Sequence, residues 1–122
     1  MSKNYTGVII EQSLKKKLIL QKLKIIKTKI VKVTKKHQTP WIKQWTMHTV
    51  EILNNDAEKI AREVSESLDS EHDWYADFEN NKFHYIIFYK KVFKVDILNK
   101  KQYVKVIKYG ISLGIPDYQL EF

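Results

Sequence analysis

The sequence predicts an α+β fold, in which a mostly antiparallel sheet of about five strands carries two helices packed on one face. Several segments alternate apolar and polar residues with the period of a β-strand, and two repeat apolar residues with the period of an α-helix. Helices and strands do not alternate strictly along the chain, which disfavours a doubly wound parallel sheet. A ferredoxin-like arrangement is the alternative, although its first crossover would be very short.

The 122 residues are predicted to form a single domain, because two independent cores in a chain of this length would each be marginal. The absence of cysteine excludes a disulfide framework, and three glycines and two prolines are too few for a low-complexity chain. No apolar run approaches the roughly 20 residues that span a bilayer, and the N-terminus lacks the features of a signal peptide. We expect a cytoplasmic protein that does not associate with membranes.

The first half of the chain predicts three strands. Residues 5–12 (YTGVIIEQ) have β-branched residues at their centre, and residues 14–22 then have the four-residue apolar spacing of a short helical turn. Residues 24–34 (KIIKTKIVKVT) alternate, which predicts a strand with one solvated, lysine-bearing face. A third strand is predicted over residues 41–53 (WIKQWTMHTVEIL), after a loop that ends at Pro40.

The clearest helix lies over residues 56–68. Asn55 followed by Glu58 has the pattern of a capping box, which predicts Asn55 as the N-cap. The apolar stripe at helical spacing consists of Ala57, Ile60, Ala61, Val64 and Leu68. This stripe predicts that the helix packs on the sheet.

A β-hairpin is predicted over residues 72–95, with its turn at Asn80-Asn81 and a bend in the return strand near Lys90-Lys91. A second helix begins after Asn99. It ends at Gly114, which precedes an isoleucine and a proline and is expected to have a positive φ.

Three stretches carry a resemblance: TPWIKQWTMHTVEI at 39–52, WYADFENNKFHYIIFYKKVFKVD at 74–96 and YGISLGIPDYQLEF at 109–122. Together they resemble a family of small, uncharacterised bacterial and archaeal single-domain proteins with no assigned activity. The resemblance implies a compact single domain and supplies no catalytic residue.

Charge is distributed unevenly along the chain. There are 22 basic and 14 acidic residues, and residues 12–50 contain no carboxylate, whereas residues 56–79 contain nine. A basic surface attracts polyanions such as nucleic acid. All basic residues except Arg62 are lysine, which also fits a lysine-rich codon bias, and the basic and acidic segments could instead face each other within one molecule or across a dimer.

Two functions follow from these patterns. The favoured one is a non-enzymatic binding module that contacts nucleic acid, another polyanion, a protein partner or a second copy of the chain through Lys24, Lys27, Lys29, Lys32, Lys35 and Lys36. The alternative is a small enzyme or ligand-binding protein, with a pocket between the 72–95 hairpin and the 41–48 segment. Its candidate residues are Trp41, Trp45, His48, Tyr75, Asp77 and His84.

Motifs for the well-marked enzyme classes are lacking, since the sequence contains no GxGxxG, Walker A, HExxH or nucleophile elbow. Pairing across the hairpin turn could bring His84 near Asp77, as an ordinary cross-strand pair or as a general base. Asp73, Asp77 and Glu79 share one strand face, which is more typical of an exposed carboxylate row than of a cation site. We predict no metal and no cofactor.

Overall fold

The computed structural model describes residues 4–33, 42–72, 74–115 and 119–120. The strands are β1 (Tyr5–Ile10), β2 (Lys24–Lys32), β3 (Gln44–Ile52), β4 (Tyr75–Glu79), β5 (Phe83–Phe88) and β6 (Lys91–Asp96). The helices are α1 (Ala57–Ser67), between β3 and β4, and α2 (Lys100–Ser112), after β6. Short 3₁₀ turns lie at Glu11–Ser13, Lys17–Lys22 and Asn54–Asp56.

The strands form one sheet in the order β2-β3-β1-β4-β5-β6, and all neighbours pair antiparallel. The predicted α+β class with a mostly antiparallel sheet is therefore confirmed. Strands β3 and β4 flank β1 and run in the same direction, and α1 connects them as a split β-α-β unit. This unit is the feature that the sheet shares with the ferredoxin-like alternative.

The sheet has six strands instead of about five because the predicted return strand of the hairpin is two strands. Tyr89 and Lys90 form a two-residue connection between β5 and β6, and Lys90 has a left-handed φ of 57°. The sequence predicts only a bend here, because neither residue is the glycine, asparagine or aspartate that such turns prefer.

The two helices pack on opposite faces of the sheet, so the prediction that they share one face is wrong. Ile87 of β5 lies in one core cluster with Val64 of α1, whereas the adjacent Ile86 lies in a second cluster with Val106 of α2. Successive residues of a strand point to opposite faces. Because β5 is apolar on both faces, each face needs its own helix; we call them the α1 face and the α2 face.

Helix α1 packs as its apolar stripe predicted. Ile60, Val64 and the following Leu68 belong to the same buried cluster as the inward residues of β1, β3, β4 and β5. The predicted N-cap at Asn55 is wrong, because a 3₁₀ turn precedes the helix and Asp56 occupies the cap without a side-chain hydrogen bond.

Helix α2 ends in a Schellman motif. Gly114 has a φ of 98°, its amide donates to the Ile111 carbonyl at 3.0 Å, and the Ile115 amide donates to the Gly110 carbonyl at 3.1 Å. The predicted positive φ of Gly114 is confirmed. The proline that follows this stop signal lies outside the described residues.

In the described part of the chain, no helix is both long and apolar enough to cross a membrane.

Candidate functional site

Strand β2 carries the basic segment at one edge of the sheet. It lies at the end of the strand order and pairs with β3, and every residue from Lys24 to Ile30 is exposed. The predicted strand over residues 24–34 is thus observed as β2, whose lysines project into solvent.

A β-bulge aligns three of these lysines. The register shifts between Ile25 and Lys27, so that Lys24, Lys27 and Lys29 lie opposite Glu51, Thr49 and Met47, which alternate regularly on β3. All three lysines therefore point to the α2 face, and we call them the lysine row. A strand that alternated regularly would put Ile25 on the same face as Lys27 and Lys29, but the extra residue of the bulge moves Ile25 to the α1 face.

The other predicted lysines do not join the row. Lys32 pairs with Gln44 and points to the α1 face, and Lys35 and Lys36 lie outside the described residues. Within the row, Lys24 forms an ion pair with Glu51 at 3.2 Å. Lys27 and Lys29 lie opposite the uncharged Thr49 and Met47, so neither has an acidic residue directly across on β3.

Beside the lysine row lies a part of the α2 face that we call the open face. It consists of Val8 of β1 and Met47 and Thr49 of β3. All three are half-buried and lie near the middle of their strands. Among the described residues, neither Val8 nor Met47 belongs to a core cluster, since the strand side chains packed with α2 come from β4, β5 and β6. The sheet thus presents a shallow surface of uncharged side chains next to three cations.

Carboxylates border the open face on the side away from the lysines. Asp77 and Glu79 of β4 pair with Val8 and Thr6 of β1, so they lie on the same sheet face as the lysine row. One row across the sheet therefore runs from Lys27 through Thr49 and Val8 to Asp77. The α2 face changes from basic at β2 to acidic at β4.

His84 connects this acidic border to α2. Its Nε2 lies 2.6 Å from Asp77 Oδ2 and its Nδ1 lies 3.0 Å from the Tyr103 hydroxyl of α2. The predicted approach of His84 to Asp77 across the hairpin is confirmed. Tyr103 was not predicted as a partner, because a side chain on a helix 19 residues away reaches the histidine only through tertiary packing.

The environment of His84 favours a structural role, in which the side chain links Asp77 of β4 to Tyr103 of α2. His84 is 5% exposed and both of its ring nitrogens contact side chains of the protein. Burial raises the pKa of the Tyr103 hydroxyl, and the carboxylates of Glu79 and Asp77 raise it further. Among the residues that the structure describes, no cluster of histidine and carboxylate side chains is arranged to hold a metal ion.

His48 forms a second connection, on the α1 face. Its Nδ1 lies 2.9 Å from Thr28 Oγ1 of β2, and its Nε2 lies 3.0 Å from Glu11 Oε1. At 7% exposure His48 is buried, and both of its ring nitrogens have partners within the protein. It links the lysine-bearing strand to β3 and to the 3₁₀ turn after β1, and sequence spacing could not reveal either partner.

The six residues of the predicted pocket do not converge. His48 points to the α1 face, whereas Tyr75, Asp77 and His84 point to the α2 face, so the sheet separates them. Trp45 packs against Trp74 with ring centroids 5.7 Å apart, at the margin of the core. Trp41 lies outside the described residues.

Tyr75 contacts the C-terminal segment. Its hydroxyl donates to the Gln119 carbonyl. Burial, and to a lesser extent the charge of Asp77, raises the pKa of this phenol to about 12. The side chain therefore binds the Gln119 carbonyl as a neutral hydrogen-bond donor.

No protein-family model, no curated protein and no solved structure matches the chain. What the geometry defines is a class, a small α+β protein with a basic edge strand beside an open sheet face.

Proposed function

We propose that this protein is a non-enzymatic module that binds a polyanion through the lysine row. The observation that carries the proposal is the bulge in β2, which turns Lys24, Lys27 and Lys29 onto one face of an exposed edge strand. Three aligned ammonium groups beside an uncharged surface match the repeated charges of a phosphate backbone.

The charge of the row is incompletely neutralised within the protein. Lys24 has Glu51 as a partner, but Lys27 and Lys29 lie opposite uncharged residues. Their same-face positions are about 7 Å apart, at which two cations in water repel by about 0.6 kcal/mol. The fold tolerates a repulsion of this size, and a bound anion relieves it.

The basic residues favour binding without sequence readout. Lysine is a point charge without the planar fork with which arginine reads guanine or clamps a phosphate. The row contains only lysines, and Arg62 lies on α1, which packs on the opposite face. We expect weak preference among nucleic-acid sequences.

The two histidine networks support binding over catalysis. A general base needs a ring nitrogen within reach of the substrate. Both nitrogens of His48 and both nitrogens of His84 are engaged by side chains of the protein, and both residues are buried. Catalysis at either site would require these contacts to break.

A salt titration tests the proposal. Lys27→Gln combined with Lys29→Gln is compared with a control on α2, Lys105→Gln with Lys108→Gln, which removes the same charge from exposed positions under a different part of the sheet. The slope of log affinity against log salt should become shallower by about 1.4 to 1.8 in the first double variant, since each lost phosphate contact contributes about 0.7 to 0.9. The control should keep a slope close to that of the unmodified protein.

Undetectable binding at about 50 mM salt to single- and double-stranded DNA and RNA would overturn the proposal. A protein partner would then be the interaction left for the lysine row. Equal loss of slope in the two double variants would also contradict it, because the affinity would then depend on net charge alone. Urea unfolding of both double variants should show little change in stability, since exposed lysines contribute little to it.

A further inference from the structure

We infer that the polyanion is a single-stranded nucleic acid and that the open face discriminates against a duplex. This inference rests on the proposed function and adds the class of ligand. It follows from the change of charge across the α2 face, from the lysine row on β2 to Asp77 and Glu79 on β4.

The basic region is narrow. Adjacent strands lie about 4.8 Å apart, so β2 and β4, separated by β3 and β1, are about 14 Å apart. One sugar-phosphate backbone can lie along the lysine row within this width. A second backbone would need cations that the face does not supply on β1 or β4.

A duplex would place its second backbone over the carboxylates. The major groove of B-DNA separates the two backbones by about 12 Å, so a strand held over the lysine row puts its complement above β1 and β4. Asp77 and Glu79 then meet the phosphates with charge of the same sign. A surface with only basic residues would bind the duplex more strongly than a single strand. Repulsion between the phosphates and these carboxylates therefore selects against the duplex.

A single strand avoids this border. With its backbone on the lysine row, its bases extend over Met47, Thr49 and Val8, the half-buried residues of the open face. Methionine and valine give an apolar floor for the base faces, and the Thr49 hydroxyl is a hydrogen-bond partner for a base edge. None of these contacts needs a particular base. We therefore expect the protein to discriminate single strands from duplexes and not one base sequence from another.

The test compares one fluorescently labelled strand of about 12 nucleotides, as RNA and as DNA, with the same strand annealed to its complement. Anisotropy titrations at about 50 mM salt should show the single strand binding at least tenfold more tightly than the duplex. Equal or tighter duplex binding overturns this inference while the proposed function stands. Absence of binding to every ligand overturns the proposed function itself, so the two failures are distinct.

A variant of the border provides the second arm of the test. Glu79→Gln should raise duplex affinity more than single-strand affinity and reduce the ratio between them several-fold. The matched control, Glu66→Gln, removes one exposed carboxylate on α1 and should raise both affinities alike. A ratio unchanged by Glu79→Gln, or changed equally by the control, would contradict the role of the border.

A third variant tests the open face. Thr49→Glu places a carboxylate directly opposite Lys27, where a cross-strand ion pair is compatible with the fold. Single-strand affinity should fall at least tenfold. The new carboxylate neutralises Lys27 in the lysine row and places a negative charge where the bases would lie. Unchanged affinity would place the ligand elsewhere and overturn the inference.

Discussion

Gly114 shows how one residue determines the end of a helix. Its φ of 98° lies in the left-handed region, and the amides of Gly114 and Ile115 close the Schellman motif. A side chain at this position would clash with the backbone, which is why glycine is suited to it.

We therefore expect Gly114→Ala to lower the free energy of unfolding by about 1 kcal/mol. Urea unfolding measures the loss. Gly114→Asn should cost less, because asparagine tolerates the left-handed conformation better than alanine. Equal stability of Gly114→Ala and the unmodified protein would contradict this account of the helix end.

Tyr75 predicts a loss of stability at alkaline pH. Its pKa is raised from 10.0 to about 12 by burial and by Asp77. Below pH 10 the phenol is protonated in both states and its contribution to stability is complete. As the pH rises towards 12, the unfolded chain loses the proton that the folded chain retains, so the free energy of unfolding falls.

Tyr75→Phe should make the free energy of unfolding decrease less steeply as the pH rises. Urea midpoints at several pH values between about 9 and 11, centred on the ordinary tyrosine pKa, measure this slope. Tyr89→Phe provides the control, because it removes a phenol that lies at the surface. The loss of the Gln119 hydrogen bond lowers stability at all of these pH values and does not alter the slope. Identical slopes in the two variants would show that Tyr75 does not retain its proton in the folded state.

At the scale of elements, turns and bulges decide which residues share a face. The bulge in β2 brings Lys24 into line with Lys27 and Lys29, and the turn at Lys90 divides one predicted strand into β5 and β6. The bulge is a departure from regular alternation by a single residue. Such departures matter because one residue of shift moves every later side chain to the other face.

The turn between β5 and β6 is expected to be strained, because a lysine occupies a position with a left-handed backbone conformation. Lys90 has a φ of 57°, and a left-handed conformation costs a residue with a side chain about 1 kcal/mol or more. Lys90→Gly should therefore raise the free energy of unfolding by about 1 kcal/mol, which thermal or urea unfolding can measure. Lys82→Gly, in the other hairpin turn, where a positive φ is absent, should not stabilise the protein.

At the scale of the whole molecule, two cores share one sheet. Strand β5 is buried on both faces, with His84 through Phe88 all buried, whereas β2 is exposed along most of its length. Its burial between α1 and α2 makes β5 the strand on which both cores depend.

Hydrogen exchange should follow this difference. Amides of β5 should exchange only through global unfolding, and those of β2 should exchange fastest among the strands, through local opening of the sheet edge. Amide exchange followed by mass spectrometry or NMR provides the measurement. Equal protection of β2 and β5 would mean that the exposed edge is held by contacts beyond its pairing with β3.

The sequence by itself determined the features that depend on local pattern. The alternating and helical periodicities predicted the α+β class, the helix over residues 56–68, the hairpin and the stop at Gly114. These agree with the structure because burial of one face, or the backbone freedom of one glycine, acts within a few residues of the chain. The lysine segment was likewise visible as a strand.

Only the tertiary structure decided which distant groups meet. The placement of α1 and α2 on opposite faces, the pairing of His48 with Glu11, and the contact of Tyr103 with His84 all join residues far apart in sequence. The same holds for the separation of His48 from Asp77 by the sheet, which removed the predicted pocket. These outcomes depend on strand order and register, and a local pattern sets the period of a strand without setting its neighbours.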